Sequence, residues 1–348
     1  MSPEFRNILQ TKGYHVNDFF MENKLYHSHD KLFRETWSNL SNAKSFLKHY
    51  LPEEILKVVQ LDSLEICKDT FIEKDLKDYY SDMLYKVNLG EDPGYIYFLF
   101  EHKSYPDRLI HIQVLEYMIK IWQLELKQSK TRKVSIVIPM VLYHGQDKWK
   151  IDDKLSSIFR GPTERLSGHI PDFKYILYDL SQYTDAQIKG TVMARVTMLL
   201  LKHIFDQDCP AKLPDIFSLL KDLSEKETGL QYFESLIKYV FSNVEDITVE
   251  KIKSIVTNTL SEDKGGMIMT LAEKLRNEGL QKGLEQGIEQ GLLEGIEFAV
   301  SIKFGDTGDY KTVIAKIKSI KDINRLKALK GKIKSAKTVP ELIRIIGD

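Results

Sequence analysis

"YIYFLFEHKS", residues 95–104, runs through six consecutive apolar or aromatic positions and then stops on glutamate, histidine and lysine. A run that is apolar on both parities reads as a strand buried inside a sheet, because a half-exposed strand would alternate. The charged residues then mark the buried strand's end. Successive side chains along a strand point to opposite faces, so Glu101 and Lys103 share one face and His102 takes the other.

The preceding stretch supplies a partner for that end. "DYYSDMLYKVNL", residues 78–89, is strand-like, and "GEDPG", residues 90–94, has the glycines and proline of a turn, so the two runs read as a hairpin. With its loop centred near Asp92, Asp82 falls opposite position 102, give or take a residue or two. Asp82, Glu101 and Lys103 would then converge. Two carboxylates and a backbone carbonyl, that of His102, are ligands for a hard cation such as magnesium, with another divalent cation as an alternative. A nearby ammonium stabilises a developing anion or orients water, and together these groups suit phosphodiester hydrolysis. The competing reading is a solvated strand end, since Asp…Glu-x-Lys patterns are common in sheets.

Beyond the strand, "DRLIHIQVLEYMIKIWQLELKQ", residues 107–128, has helical periodicity and no internal glycine or proline. Gln113 and Tyr117 are four apart and share a face, which sets an amide beside a phenol. They read either as an ordinary helix face or as residues that approach the metal site.

Working outward, residues 1–27 are a polar and aromatic lead-in, and "HDKLFRETWSNLSNAKSFLKHYL" is helical, with Asp30 as its N-cap. "LEICKDTFI", "VSIVIPMVLYHG" and "KYILYDL" add strands, so residues 28–182 form an α/β domain with a mixed sheet flanked by helices. Residues 183–275 are amphipathic helices. In residues 276–300, Gly279, Gly283, Gly287, Gly291 and Gly295 recur every fourth position beside Leu280, Leu284, Ile288, Leu292 and Ile296. Each glycine costs a helix about 1 kcal/mol relative to alanine, so the segment reads equally as a flexible helical linker and as a homo-oligomer interface with close backbones.

Residues 301–348 carry twelve lysines and arginines against five acids. Lys316, Lys318, Lys321, Arg325, Lys327, Lys330, Lys332 and Lys334 are expected to face solvent while Ile317, Ile320, Ile323 and Leu326 pack inward. Such a face either contacts DNA phosphates or is simply solvated. Over the whole chain fifty basic residues balance fifty acidic ones, so net charge points to no partner. The opening has no basic stretch leading into an apolar one, and no run reaches the roughly 18 apolar residues of a membrane span, which leads us to expect a cytoplasmic protein with no membrane partner. Cys67 and Cys209 sit in no metal-binding spacing and read as reduced core residues.

Weaker polar candidates are His29, Asp30 and Glu35 on the first helix, and Tyr143, His144 and Gly145 at a strand-end turn. Capping, an exposed helix charge and a structural turn are their competing roles.

Taken together, Asp82, "EHKS" and "QVLEY" resemble the core of a PD-(D/E)XK nuclease. The ordered stretches "HDKLFRETWSN", "FLKHYLP", "YYSDMLYKV", "YIYFLFEHKS" and "IPMVLYHGQDKW" resemble the Rpn recombination-promoting nuclease family, also called "putative transposases", over roughly residues 27–180. That resemblance implies a magnesium-dependent DNA endonuclease promoting recombination. Asp82 and Glu101 transfer as metal ligands and catalytic residues, Lys103 as the lysine of the E-x-K element, and Gln113 and Tyr117 as active-site helix residues. Serine precedes Asp82 where the motif's proline would stand. The alternative is a non-catalytic interaction or DNA-binding module that keeps the nuclease fold.

Overall fold

Residue 101 closes β3, Asp92–Glu101, and β3 is the middle strand of a five-stranded sheet. The computed structural model describes residues 28–67, 83–101, 107–128, 133–223, 227–244, 247–305, 310–320 and 322–347. The other strands are β1, Val59–Ile66, β2, Met83–Leu89, β4, Ile136–Tyr143, and β5, Ile176–Asp179, and they lie side by side in sequence order. β2 pairs antiparallel with β1 on one side and with β3 on the other, whereas β3, β4 and β5 run parallel. This is the mixed sheet expected from sequence.

The hairpin register departs from the expectation. Asp92, Pro93 and Gly94 belong to β3, and the turn is only Gly90 and Glu91, with Leu89 paired to Asp92 and Met83 to Phe98. Partners therefore sit three positions earlier than a loop centred on Asp92 would put them. A tight turn wins because Gly90 takes φ 63°, where a side chain would be strained, and so lets the ladder close at once.

Two helical layers cover the sheet. The single helix expected over 29–51 is two, α1 at 28–37 and α2, Leu40–Tyr50, because the Asn39 side chain accepts from the backbone N–H groups of Ser41 and Asn42 and starts a new helix. Asp30 lies inside α1 and is buried, so it is not the cap expected of it. Phe33 and Trp37 of α1 and Phe46 of α2 pack on Phe98 of β3 with ring centroids 5.1, 5.8 and 5.1 Å away. The Tyr85 hydroxyl donates to the Trp37 carbonyl at 2.7 Å, tying β2 to the end of α1. After the short α3, Glu53–Leu56, the chain enters the sheet, and α4, Ile110–Gln128, covers its opposite face. Tyr95, Tyr97, Val137 and Val141 meet Ile110, Val114, Tyr117 and Ile121 there in one core.

The helical region builds on the α1 side. It comprises α5, Val192–His203, α6, Cys209–Ser218, α7, Glu227–Asn243, and α8, Val249–Thr259. A buried hydroxyl chain joins three helices: Thr36 of α1 lies 2.8 Å from Thr197 of α5, which lies 2.7 Å from the Tyr232 hydroxyl of α7. Burial lifts both thiols to about 11, which keeps Cys67 and Cys209 protonated, and both are free of disulfides.

Residues group into two compact units, Met1–Ile268 and Met269–Asp348. The periodic glycines lie inside one continuous helix, α9, Glu262–Phe304. Within the second unit, Ile296 and Val300 of α9 share a core with α10, Tyr310–Lys318, α11, Ile323–Ile333, and α12, Val339–Gly347. Ile317, Ile320 and Leu326 are buried in it as expected, and Ile323 is half-buried. No helix among the described residues is long and apolar enough to cross a membrane.

Candidate active site

Glu101 is the last residue of β3 and stands in parallel register with Tyr143, the last residue of β4. The C-terminal ends of parallel strands are where α/β sheets place ligands, because the loops that follow them open there. Asp82, His102 and Lys103 lie outside the described residues, so the expected convergence rests on the sequence for those three.

The two expected helix residues are both described. Tyr117 is buried and stacks on Tyr97, with centroids 4.8 Å apart and 23° between planes, while the Lys120 ammonium lies 5.4 Å over its ring. Gln113 is half-buried one turn earlier. Because α4 connects two parallel strands it runs back against β3, so moving from Tyr117 to Gln113, about 6 Å at 1.5 Å per residue, approaches the Glu101 end. From Tyr97 to position 101 the strand covers about 13 Å in the same direction.

The weaker candidates resolve into packing. His29 and His144 are buried with ring centroids 5.0 Å apart, and the Tyr239 hydroxyl lies 2.7 Å from His29 Nδ1. His144 Nδ1 donates to the Leu201 carbonyl at 3.1 Å, in the last turn of α5 where helix carbonyls lack intrahelical donors. Burial pushes the His144 imidazole down to about 4, partly opposed by that bond, so the ring is neutral near pH 7. Tyr143 is buried against Trp149, at 4.9 Å, and a side chain on Gly145 would collide with the Tyr143 hydroxyl. Glu35 is half-buried, and its charge adds to burial in raising the Tyr232 phenol.

Two groupings escaped the sequence reading. A cleft of about 940 Å³ opens beside the start of α4 and is lined by Arg108, Gln146, Lys148, Lys150 and Asp152 among others. The spacing Lys-Trp-Lys in "QDKWK" could have signalled it, since alternation turns the indole inward and both ammoniums out. The second grouping is His203, which is buried, with Nδ1 2.7 Å from Asp206 and Nε2 2.9 Å from Asp185. Among the described residues no three His, Cys, Asp or Glu side chains gather as a metal site.

A mixed five-stranded sheet between helical layers, with a carboxylate closing its central strand, defines an α/β protein of nuclease-like architecture. The chain belongs to the family described as "Putative transposase, YhgA-like", which matches residues 27–231. It is 25% identical over 256 residues to recombination-promoting nuclease RpnD of Escherichia coli O157:H7, covering 72% of this chain and 94% of that one. It is 27% identical over 254 residues to recombination-promoting nuclease RpnA of E. coli K12, covering 73% and 85%. It is also 28% identical over 254 residues to the inactive recombination-promoting nuclease-like protein RpnE of the same strain, covering 73% and 83%. The Rpn resemblance read from the ordered motifs is thus found along most of the chain. No solved structure matches it.

Proposed function

We propose that this protein is a metal-dependent DNA endonuclease that hydrolyses phosphodiester bonds and promotes recombination. The observation that carries the reading is the position of Glu101, at the open end of the central strand, with the Gln113–Tyr117 face of α4 running back from that end. The named activity of the similar RpnA and RpnD supports it.

The expected ligands, the carboxylates of Asp82 and Glu101 and the carbonyl of His102, offer oxygen only, which fits a hard cation such as magnesium. Bound there, the ion would neutralise phosphate charge as a Lewis acid. Lys103 orients the attacking water and stabilises negative charge as it develops, and Gln113 donates to a phosphate oxygen or to the water. Tyr117 holds α4 in place through its stack on Tyr97. Hydrolysis by water needs no covalent intermediate on the protein.

DNA is the proposed partner, bound in part by the basic face of α10 and α11. Lys316, Lys327, Lys330, Lys332 and Lys334 are exposed there, whereas Lys318 pairs with Glu297 at 3.0 Å and Arg325 donates to the Ile346 carbonyl at 2.8 Å. Self-association through α9 is the other proposed contact. A cytoplasmic location is part of the same reading.

A second reading, a non-catalytic module on the same fold, is favoured by one observation: the similar RpnE carries "inactive" in its name. Plasmid nicking with and without magnesium, using wild type, Asp82→Ala and Glu101→Gln side by side, separates the two. Magnesium-dependent nicking by wild type alone supports hydrolysis at this site. Nicking that survives in Glu101→Gln rejects the site, and none in wild type supports the second reading.

A further inference from the structure

We propose that the cleft carrying Arg108, Lys148 and Lys150 binds the phosphate backbone of a DNA strand running past the Glu101 end of the sheet. This rests on the nucleic-acid part of the functional reading above and extends it to residues outside the catalytic set. The cleft is large, about 940 Å³, and lies at the strand ends: Gln146 and Lys148 follow closely on Tyr143, the register partner of Glu101. Arg108 comes from the opposite side, just ahead of α4.

The cations are held on a stiff frame. Trp149 is half-buried, its backbone N–H donates to Asp179 at 3.3 Å and its indole N–H to the Tyr175 hydroxyl at 3.1 Å. The Asp152 carbonyl accepts from His111 Nε2 at 2.7 Å and from the Tyr175 hydroxyl at 3.2 Å. Trp149 is pinned inward between Lys148 and Lys150, and both of these are exposed, as is Arg108. Among the described residues none of these three cations has an ion-pair partner within the chain. Of the two acids in the cleft, Asp152 accepts from the Lys154 backbone N–H at 2.9 Å, while Asp147 is exposed. Among the described residues the three cations outnumber the two carboxylates of the cleft and form an ion pair with neither, which leaves net positive charge for a phosphate backbone, and their irregular spacing suits sequence-independent contact.

The test measures DNA binding apart from cleavage. Full-length protein carrying Glu101→Gln is titrated against a labelled duplex across a salt series, with and without Arg108→Gln, Lys148→Gln and Lys150→Gln together. The expected result is a loss of affinity of about tenfold or more and a salt slope shallower by roughly 0.9 for each phosphate that is no longer neutralised. A separate Asp147→Asn change, which removes the opposing charge, is expected to tighten binding. Unchanged affinity and slope in the triple variant, at unchanged Tm, overturns the proposal whether or not the wild type cleaves. Cleft-dependent binding by a protein that never nicks DNA would uphold the cleft and reject the hydrolytic reading.

Discussion

The ring of Tyr117 lies stacked on the ring of Tyr97, 4.8 Å between centroids and 23° between planes, so the helix that carries Gln113 is fixed in register against the strand that ends in Glu101. Aromatic stacking of this kind adds about 1 kcal/mol to the burial of the rings themselves. The helix cannot slide along the sheet without breaking it.

Tyr117→Ala is therefore expected to cost about 3 kcal/mol and to lower cleavage through misplacement of Gln113. Tyr117→Phe keeps the ring and should lose much less stability. Equal Tm for the two variants in thermal melts would remove the stack from the account.

Gln113→Leu preserves size on a half-buried face but removes the donor. If Gln113 stabilises phosphate charge, kcat falls on the order of a hundredfold with little change in Tm. Single-turnover cleavage at saturating magnesium reads this directly, and an unchanged rate would return Gln113 to the ordinary helix face.

His144 gives a pH dependence of known sign. Its folded pKa, about 4, lies below the unfolded value of 6.5, so the unfolded chain takes up the proton first as pH falls. Stability is expected to drop by up to about 3 kcal/mol between about pH 6.5 and pH 4. His144→Phe forfeits the bond to the Leu201 carbonyl and loses some stability at every pH, but denaturant melts of the variant should lack this slope.

Asp185 and Asp206 act in a lower window. Their carboxyls, although partly desolvated, are held below the usual carboxylate value by Lys202 and His203 for Asp185 and by Lys212 and His203 for Asp206. That stabilisation is complete above the usual carboxylate pKa and is lost as pH falls through the depressed values. Asp185→Asn should flatten the acid limb below about pH 4 and leave the His144 slope intact.

On α9, Leu280 and Leu284 are 74% and 60% exposed, and an added Cβ on Gly279, Gly283 or Gly287 would meet nothing within 4 Å. If copies associate along this face, Leu280→Lys with Leu284→Lys should reduce the light-scattering mass to that of the 40.4 kDa chain without lowering Tm. A wild type already at that mass at high micromolar concentration would assign the stripe to a linker.

What the amino-acid order determined by itself was local and periodic. The apolar run of β3, the helical spacing of α4 and the strand "VSIVIPMVLYHG" were legible because burial on one face or two leaves a period in the sequence. Glu101 and Lys103 were legible as charges ending such a run. Tertiary structure decided what depends on partners far along the chain. It set the hairpin three positions from its expected register, because Gly90 permitted a two-residue turn, and it buried His29, Asp30 and His144, His29 against Tyr239 of α7 and His144 against Leu201 of α5, turning weaker polar candidates into core. It also brought Arg108 to the cleft that holds Lys148 and Lys150. No period records such meetings, since they arise only when the β4–β5 connection folds over the start of α4, where desolvation and hydrogen bonds to distant backbone choose which charges stay in water.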